Sequence, residues 1–297
     1  MYNKIDLKNK LESIHRKSYP AYKSLRGSYT FGDFVLSIDH VQGDPFAAPS
    51  SLHVELPLKK AGFPEKYFEK RYTKTALEDL ILRKFSTALD QYSFKAKGSG
   101  KSGLISTSRP GAEVMRRTAV EVNNIALIVR FEVGFPANGR TINAQELEKI
   151  LLDFLPQIVK KCLVYQAWDK TKVQETYELA ENQQRIREVL EERKLVAFCA
   201  NGSILPRKSG VSSQPLKDAV AFKSPKSMEL AIDLPYGGSI CGMGIPEGVT
   251  LIIGGGYHGK STLLQALEQG VYNHVKGDGR EYVITRDDAL KLRAEDG

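Results

Sequence analysis

Val249-Thr-Leu-Ile-Ile-Gly-Gly-Gly-Tyr-His-Gly-Lys-Ser-Thr-Leu-Leu-Gln-Ala-Leu-Glu268 is the stretch that decides how this chain reads. Within it, Gly254-x-x-x-x-Gly259-Lys260-Ser261 is the full P-loop pattern. Glycines let successive backbone N–H groups turn inward and surround an anion. The apolar run Val249 to Ile253 predicts a strand entering the loop, and Leu263, Leu264 and Leu267 predict a helix leaving it. That helix would start near Lys260 and bring the positive end of its dipole to bound phosphates. A glycine-rich turn that binds nothing is the alternative, and the order strand, loop, helix argues against it.

The expected ligand is a purine nucleotide, ATP with Mg²⁺. Lys260 would reach the β- and γ-phosphates, and Ser261 would ligate the metal. The expected binding residues are Gly254, Gly255, Gly256, Tyr257, His258, Gly259, Lys260, Ser261 and Thr262. Tyr257 either stacks on a base or packs against the protein. His258 either titrates near neutral pH beside the nucleotide or fills space.

Downstream, an ATPase of this type needs an acid at the end of a later apolar strand. Only Tyr282-Val-Ile-Thr-Arg-Asp-Asp288 resembles one, and it is short and comes too soon. No catalytic residue is assigned. Since the sequence reaches Gly297 soon after the P-loop helix, the expectation is a C-terminally incomplete nucleotide-binding core.

Upstream, Leu195-Val-Ala-Phe-Cys-Ala200 reads as a strand and Asn201-Gly202 as a tight turn, with two short strands around Pro235-Tyr-Gly-Gly238. A boundary near 195 therefore divides an N-terminal domain, 1–194, from a P-loop domain, 195–297. In the first part, Leu7, Leu11 and Ile14 predict a helix that Pro20 interrupts. Gly27 to Asp39 predicts a strand or hairpin, and His53 to Pro57 a strand. Residues 73–90 predict a helix and Ile125 to Val133 a buried strand. Asn143 and Glu146 predict a capped helix start, with Pro156 kinking the helix that follows. A helix over 170–194 is polar on most faces. The fold class is α/β: a mixed α+β domain followed by the start of a P-loop domain.

A second glycine loop, Gly98-Ser-Gly-Lys-Ser-Gly103, keeps a Gly-Lys-Ser core but has Lys95 where a P-loop glycine would stand. It is either a solvated loop or an imperfect phosphate nest. Gly98, Ser99, Gly100, Lys101 and Ser102 are its candidate contacts to a second phosphate, including one of RNA.

Composition bounds the rest. The chain is 41% hydrophobic and 26% charged, as ordinary globular proteins are, with a formal net charge of +8. That surplus suits polyanions and phosphate ligands. Three cysteines, Cys162, Cys199 and Cys241, stand far apart and read as reduced thiols. No run of about 18 apolar residues predicts a membrane helix, and the N-terminus does not resemble a signal peptide; the expected compartment is the cytoplasm.

The run Gly242 to Glu268 resembles soluble ATPases of the ABC class, a family distinct from membrane transporters. So do Gly270-Val-Tyr-Asn-His-Val-Lys-Gly-Asp-Gly-Arg-Glu281 and Arg293-Ala-Glu-Asp-Gly297. Gln42-Gly-Asp-Pro-Phe-Ala-Ala-Pro-Ser50, the loop Gly98–Gly103 and Leu195 to Arg207 extend the resemblance over nearly the whole chain. It implies a family-specific N-terminal domain, ATP bound by the P-loop, and hydrolysis by two ATPase domains facing head to tail in a homodimer. It also places the signature loop, the acidic strand and the switch histidine beyond Gly297. Two other functions stay open. One is an RNA-binding protein with a regulatory or vestigial nucleotide site, using Lys59, Lys60, Lys66, Lys70, Arg71, Lys74, Lys95, Lys97, Lys101, Arg116 and Arg117. The other is a small-molecule kinase.

Overall fold

A computed structural model describes residues 2–292; the family-like run at 293–297 lies outside the described residues. Packing divides the chain into two units. Met1–Glu69, Leu77–Arg109 and Arg116–Val173 form the first, and Lys70–Ala76, Pro110–Met115 and Gln174–Gly297 the second.

The first unit is built on a seven-stranded sheet. Its order is Tyr2–Asn3, Gly27–Thr30, Val35–His40, Ser50–Pro57, Ala126–Val133 and Ile105–Ser106, with Val120–Val122 also pairing with Ala126–Val133. Ser50, Leu52, Val54 and Leu56 alternate with half-buried neighbours, the period of a strand with one face on the core. Leu77, Ile81, Phe85 and Leu89 form the buried stripe of helix Arg71–Tyr92. Phe85 meets Phe131 of the sheet edge-to-face, with ring centroids 5.9 Å apart.

One local expectation is corrected here. Asn143 caps helix Ala144–Glu148 without a side-chain bond; its own N–H donates to the Pro136 carbonyl, and Glu146 accepts the Lys97 N–H at 2.9 Å rather than reaching back to the cap. Pro156 directly follows the π-helical turn Lys149–Phe154, which joins Ala144–Glu148 to Leu155–Leu163 in one helical run; such a widened turn distorts the helix where proline removes an N–H.

The second unit is a three-layer sandwich around an antiparallel sheet ordered Glu229–Asp233, Ser239–Pro246, Leu195–Ala200 and Val283–Thr285. On one face, Ile186, Val189 and Leu190 of helix Lys170–Glu192 pack on Leu195, Phe198, Ala200, Ile232 and Ile284. On the other, Ala266, Leu263 and Leu267 of helix Lys260–Gln269 pack on Ala197, Cys199, Met243, Ile245 and Val283. A register shift between Leu195 and Ala197 explains why Leu195 and Phe198 share a face.

The division between units thus falls inside helix Lys170–Glu192, upstream of the expected boundary at 195. Its apolar positions at i, i+3 and i+4 are few among polar residues, yet they cover a whole face of the sheet.

Candidate phosphate-binding site

The expected helix forms as Lys260–Gln269, with Gly259 in the left-handed region at its N-cap (φ 80°). The expected strand does not form. Residues 249–253 pair with no strand among the described residues, and Leu251 and Ile253 are 79% and 78% exposed. An apolar run becomes a strand only where neighbours accept its backbone hydrogen bonds. Here the sheet edges are Glu229–Asp233 and Val283–Thr285, and neither takes it. The segment Val283–Thr285 pairs antiparallel with Leu195–Ala200, and Asp288 beyond it is bonded to Arg286 at 2.8 Å.

Between these elements, the loop is open. Lys260 Nζ donates to the Gly254 carbonyl at 2.6 Å and also to that of Gly255. The His258 ring lies over the same two residues: a Cβ on Gly255 would meet its Cε1 at 3.2 Å. A Cβ on Gly256 would meet nothing within 4 Å. Tyr257 takes φ 62° and its side chain is fully exposed, so it does not pack against the protein. Among the described residues, the backbone N–H groups of 255–259 donate to no protein acceptor. They are available to an anion. The residues present fit a phosphate-binding cradle.

The second Gly-Lys-Ser loop is different. Ser99 N–H donates to Ala137, Lys101 to Pro45, Ser102 to Ser99, Gly103 to Gly134 and Leu104 to Lys101, over 2.7–3.1 Å. Ser102 Oγ donates to the Ser99 carbonyl and accepts the Ala137 N–H. With these amides committed, the loop is knitted to segments 42–46 and 134–139 rather than shaped as a nest; only the exposed Lys101 side chain keeps its charge to solvent. Several of the other basic candidates are likewise engaged. Lys60 pairs with Asp33 at 2.9 Å, Lys70 with Glu181 at 2.8 Å and Arg117 with Asp79 at 2.7 Å.

Sequence reasoning missed a buried polar lattice behind the P-loop helix. Arg207 Nη2 and His274 Nδ1 both lie 2.7 Å from Asp278 Oδ2. Arg280, fully buried, donates from Nε to the Leu205 carbonyl at 3.0 Å and from Nη1 to Gln269 Oε1 at 2.6 Å. Burial, with the nearby Arg207 charge, pushes Arg280 down to about 10. Arg187 Nη2 donates to the Val271 carbonyl at 3.0 Å and Asn273 Oδ1 at 2.9 Å, and its Nη1 to the Thr285 carbonyl at 2.8 Å; burial lowers its pKa also. The signal was present in the family-like run that closes on Gly277-Asp-Gly-Arg-Glu281.

Among the described residues no helix is long and apolar enough to cross a membrane, and no group of three His, Cys, Asp or Glu side chains is placed to hold a metal.

Comparison with known proteins agrees with this architecture. Residues 4–166 match the family model for the N-terminal domain of ATPases of the ABC class, and residues 169–297 match the P-loop domain of the same family. The chain is also similar to the uncharacterized protein MJ1628 of Methanocaldococcus jannaschii, 38% identical over 112 residues; the match covers 35% of this chain and 25% of that protein. With an α/β fold, a matching N-terminal domain and a P-loop domain in sequence, the chain belongs to the ATPases of the ABC class.

Proposed function

We propose that the chain binds Mg-ATP at Gly254–Thr262. The observation that carries this reading is the contrast between the two Gly-Lys-Ser loops: the amides of 99 and 101–104 are committed to protein carbonyls, whereas those of 255–259 are not. In this reading the amides of Gly255 to Gly259 hold phosphate oxygens. Lys260 exchanges the Gly254 and Gly255 carbonyls for the β- and γ-phosphates, and the Ser261 hydroxyl, in the first turn of the helix, holds the metal. The helix N-terminus adds about half a positive charge. Mg²⁺, when bound, neutralises charge on the β- and γ-oxygens.

Hydrolysis belongs, in this reading, to a homodimer in the cytoplasm, in which a second ATPase domain faces the P-loop and closure excludes water. Equilibrium binding of Mg-ATP to the folded chain tests the proposal. Absence of binding at millimolar nucleotide counts against it.

A further inference from the structure

We infer that Arg187 and Arg280 are positioning residues for the P-loop: one partly buried and one fully buried guanidinium group that clamp the C-terminal end of helix Lys260–Gln269. This rests on the nucleotide-site reading above.

Lys260 and Ser261 stand in the first turn of a ten-residue helix. Such a helix is about 15 Å long. Holding a phosphate-binding group within about 0.5 Å therefore requires that the helix tilt by no more than about 2°. Apolar packing alone gives little of that precision here. Ala266 is the helix's buried residue, Leu263 and Leu267 are partly buried, and Leu264 is half exposed. The loop before the helix is unpaired as well, so its orientation must be set from the other end.

That end is held by directional bonds. Thr285 Oγ1 donates to the Leu267 carbonyl at 2.6 Å, and Thr285 N–H to the Gly270 carbonyl at 2.9 Å. Arg187 Nη2 reaches the carbonyls of Gly270 and Val271 at 3.4 and 3.0 Å. Arg280 Nη1 takes Gln269 Oε1 at 2.6 Å. These acceptors include the carbonyl groups that a helix terminus leaves without intrahelical partners. The donors from Arg187 and Arg280 are cations at the negative end of the helix dipole, where hydrogen bonds are stronger than between neutral groups.

Neither guanidinium forms an ion pair within 4.0 Å among the described residues; their acceptors are carbonyl and amide oxygens. Burying a cation without a carboxylate partner opposes folding, so an apolar side chain of equal volume would serve bulk stability better. What the arginines supply is fixed geometry: each bridges the helix end to a different segment, Arg280 to Leu205 and Arg187 to Thr285.

The test is Mg-ATP affinity, measured by calorimetry on the full chain well below its melting temperature. The variants are Arg187→Gln, Arg280→Gln, Arg280→Lys, Lys260→Ala, and Ile232→Val as a core change on the opposite sheet face. Each Gln variant should bind about tenfold more weakly, the scale of one charged hydrogen bond. Arg280→Lys should recover part of the loss, and Ile232→Val should bind as the parent does despite a lower melting temperature. Gln variants that bind within twofold of the parent, while Lys260→Ala does not bind, overturn the positioning role and leave the nucleotide site standing. Parent-like binding by Lys260→Ala overturns both. Should an arginine variant fail to fold, Thr285→Val deletes only the hydroxyl donor to Leu267 and is judged by the same two results.

Discussion

Lys260 donates to the carbonyl oxygen of Gly254 at 2.6 Å, six residues back along the chain. The cation that the sequence assigns to phosphate is held instead by the loop's own backbone, next to amides that have no protein acceptor. A cation and uncommitted amides thus stand side by side, and the chain's behaviour can be predicted from how each residue near them is held.

Tyr257 is the first case. It takes a left-handed backbone conformation that disfavours a side chain by roughly 1 kcal/mol, and its ring touches no core. Tyr257→Gly removes that strain and adds a similar entropic cost in the unfolded chain. Thermal unfolding should therefore shift by less than about 1 kcal/mol in stability. A loss above about 2 kcal/mol would show that the ring is packed, contrary to its exposure.

Gly134 is the opposite case. A Cβ there would lie 1.8 Å from the Lys101 carbonyl oxygen, and Gly134 exchanges backbone bonds with Gly103 and Leu104. Backbone cannot yield as a side chain can. Gly134→Ala should cost at least about 2 kcal/mol in urea unfolding and loosen the loop Gly98–Gly103. Stability equal to the parent contradicts the tight approach.

The thiols should divide by burial. Cys162 and Cys199 are buried and Cys241 is exposed. Burial pushes Cys162 up to about 11 and Cys199 up to about 12, from an ordinary value of 9.0. At pH 8, a thiol reagent should modify Cys241 promptly and the other two only on unfolding. The sign for stability follows. The folded-state value is raised, so the contribution of a neutral Cys199 is whole below about pH 9 and is lost as pH rises toward 12. Prompt reaction of all three in the native protein would contradict the burial of Cys162 in helix Leu155–Leu163 and of Cys199 in the sheet core.

Much of this was legible in the residues. The P-loop pattern with its following helix, the strand at Leu195–Ala200 and the hairpin around Pro235–Gly238 are written in local spacing and turn chemistry. What was not legible depended on partners distant in sequence. Val249 to Ile253 has the composition of a strand, yet strand formation is decided by neighbours, and none is present among the described residues. Glu146 looks like half of a capping box, but its carboxylate goes to the Lys97 N–H, 49 residues away. The loop Gly98–Gly103 carries a Gly-Lys-Ser core, and only the fold reveals that Pro45, Gly134 and Ala137 already take its amides. The clamp of Arg187 and Arg280 is hidden for the same reason, since two arginines 93 positions apart in the numbering meet the end of one helix.

The central claim is that the loop Gly254–Thr262, and not Gly98–Gly103, is the phosphate site. Calorimetric titration of Mg-ATP into the folded parent, Lys260→Ala and Lys101→Ala tests it most directly. The account predicts that the parent and Lys101→Ala bind alike and that Lys260→Ala loses binding. A folded parent that does not bind, or a loss confined to Lys101→Ala, would contradict it.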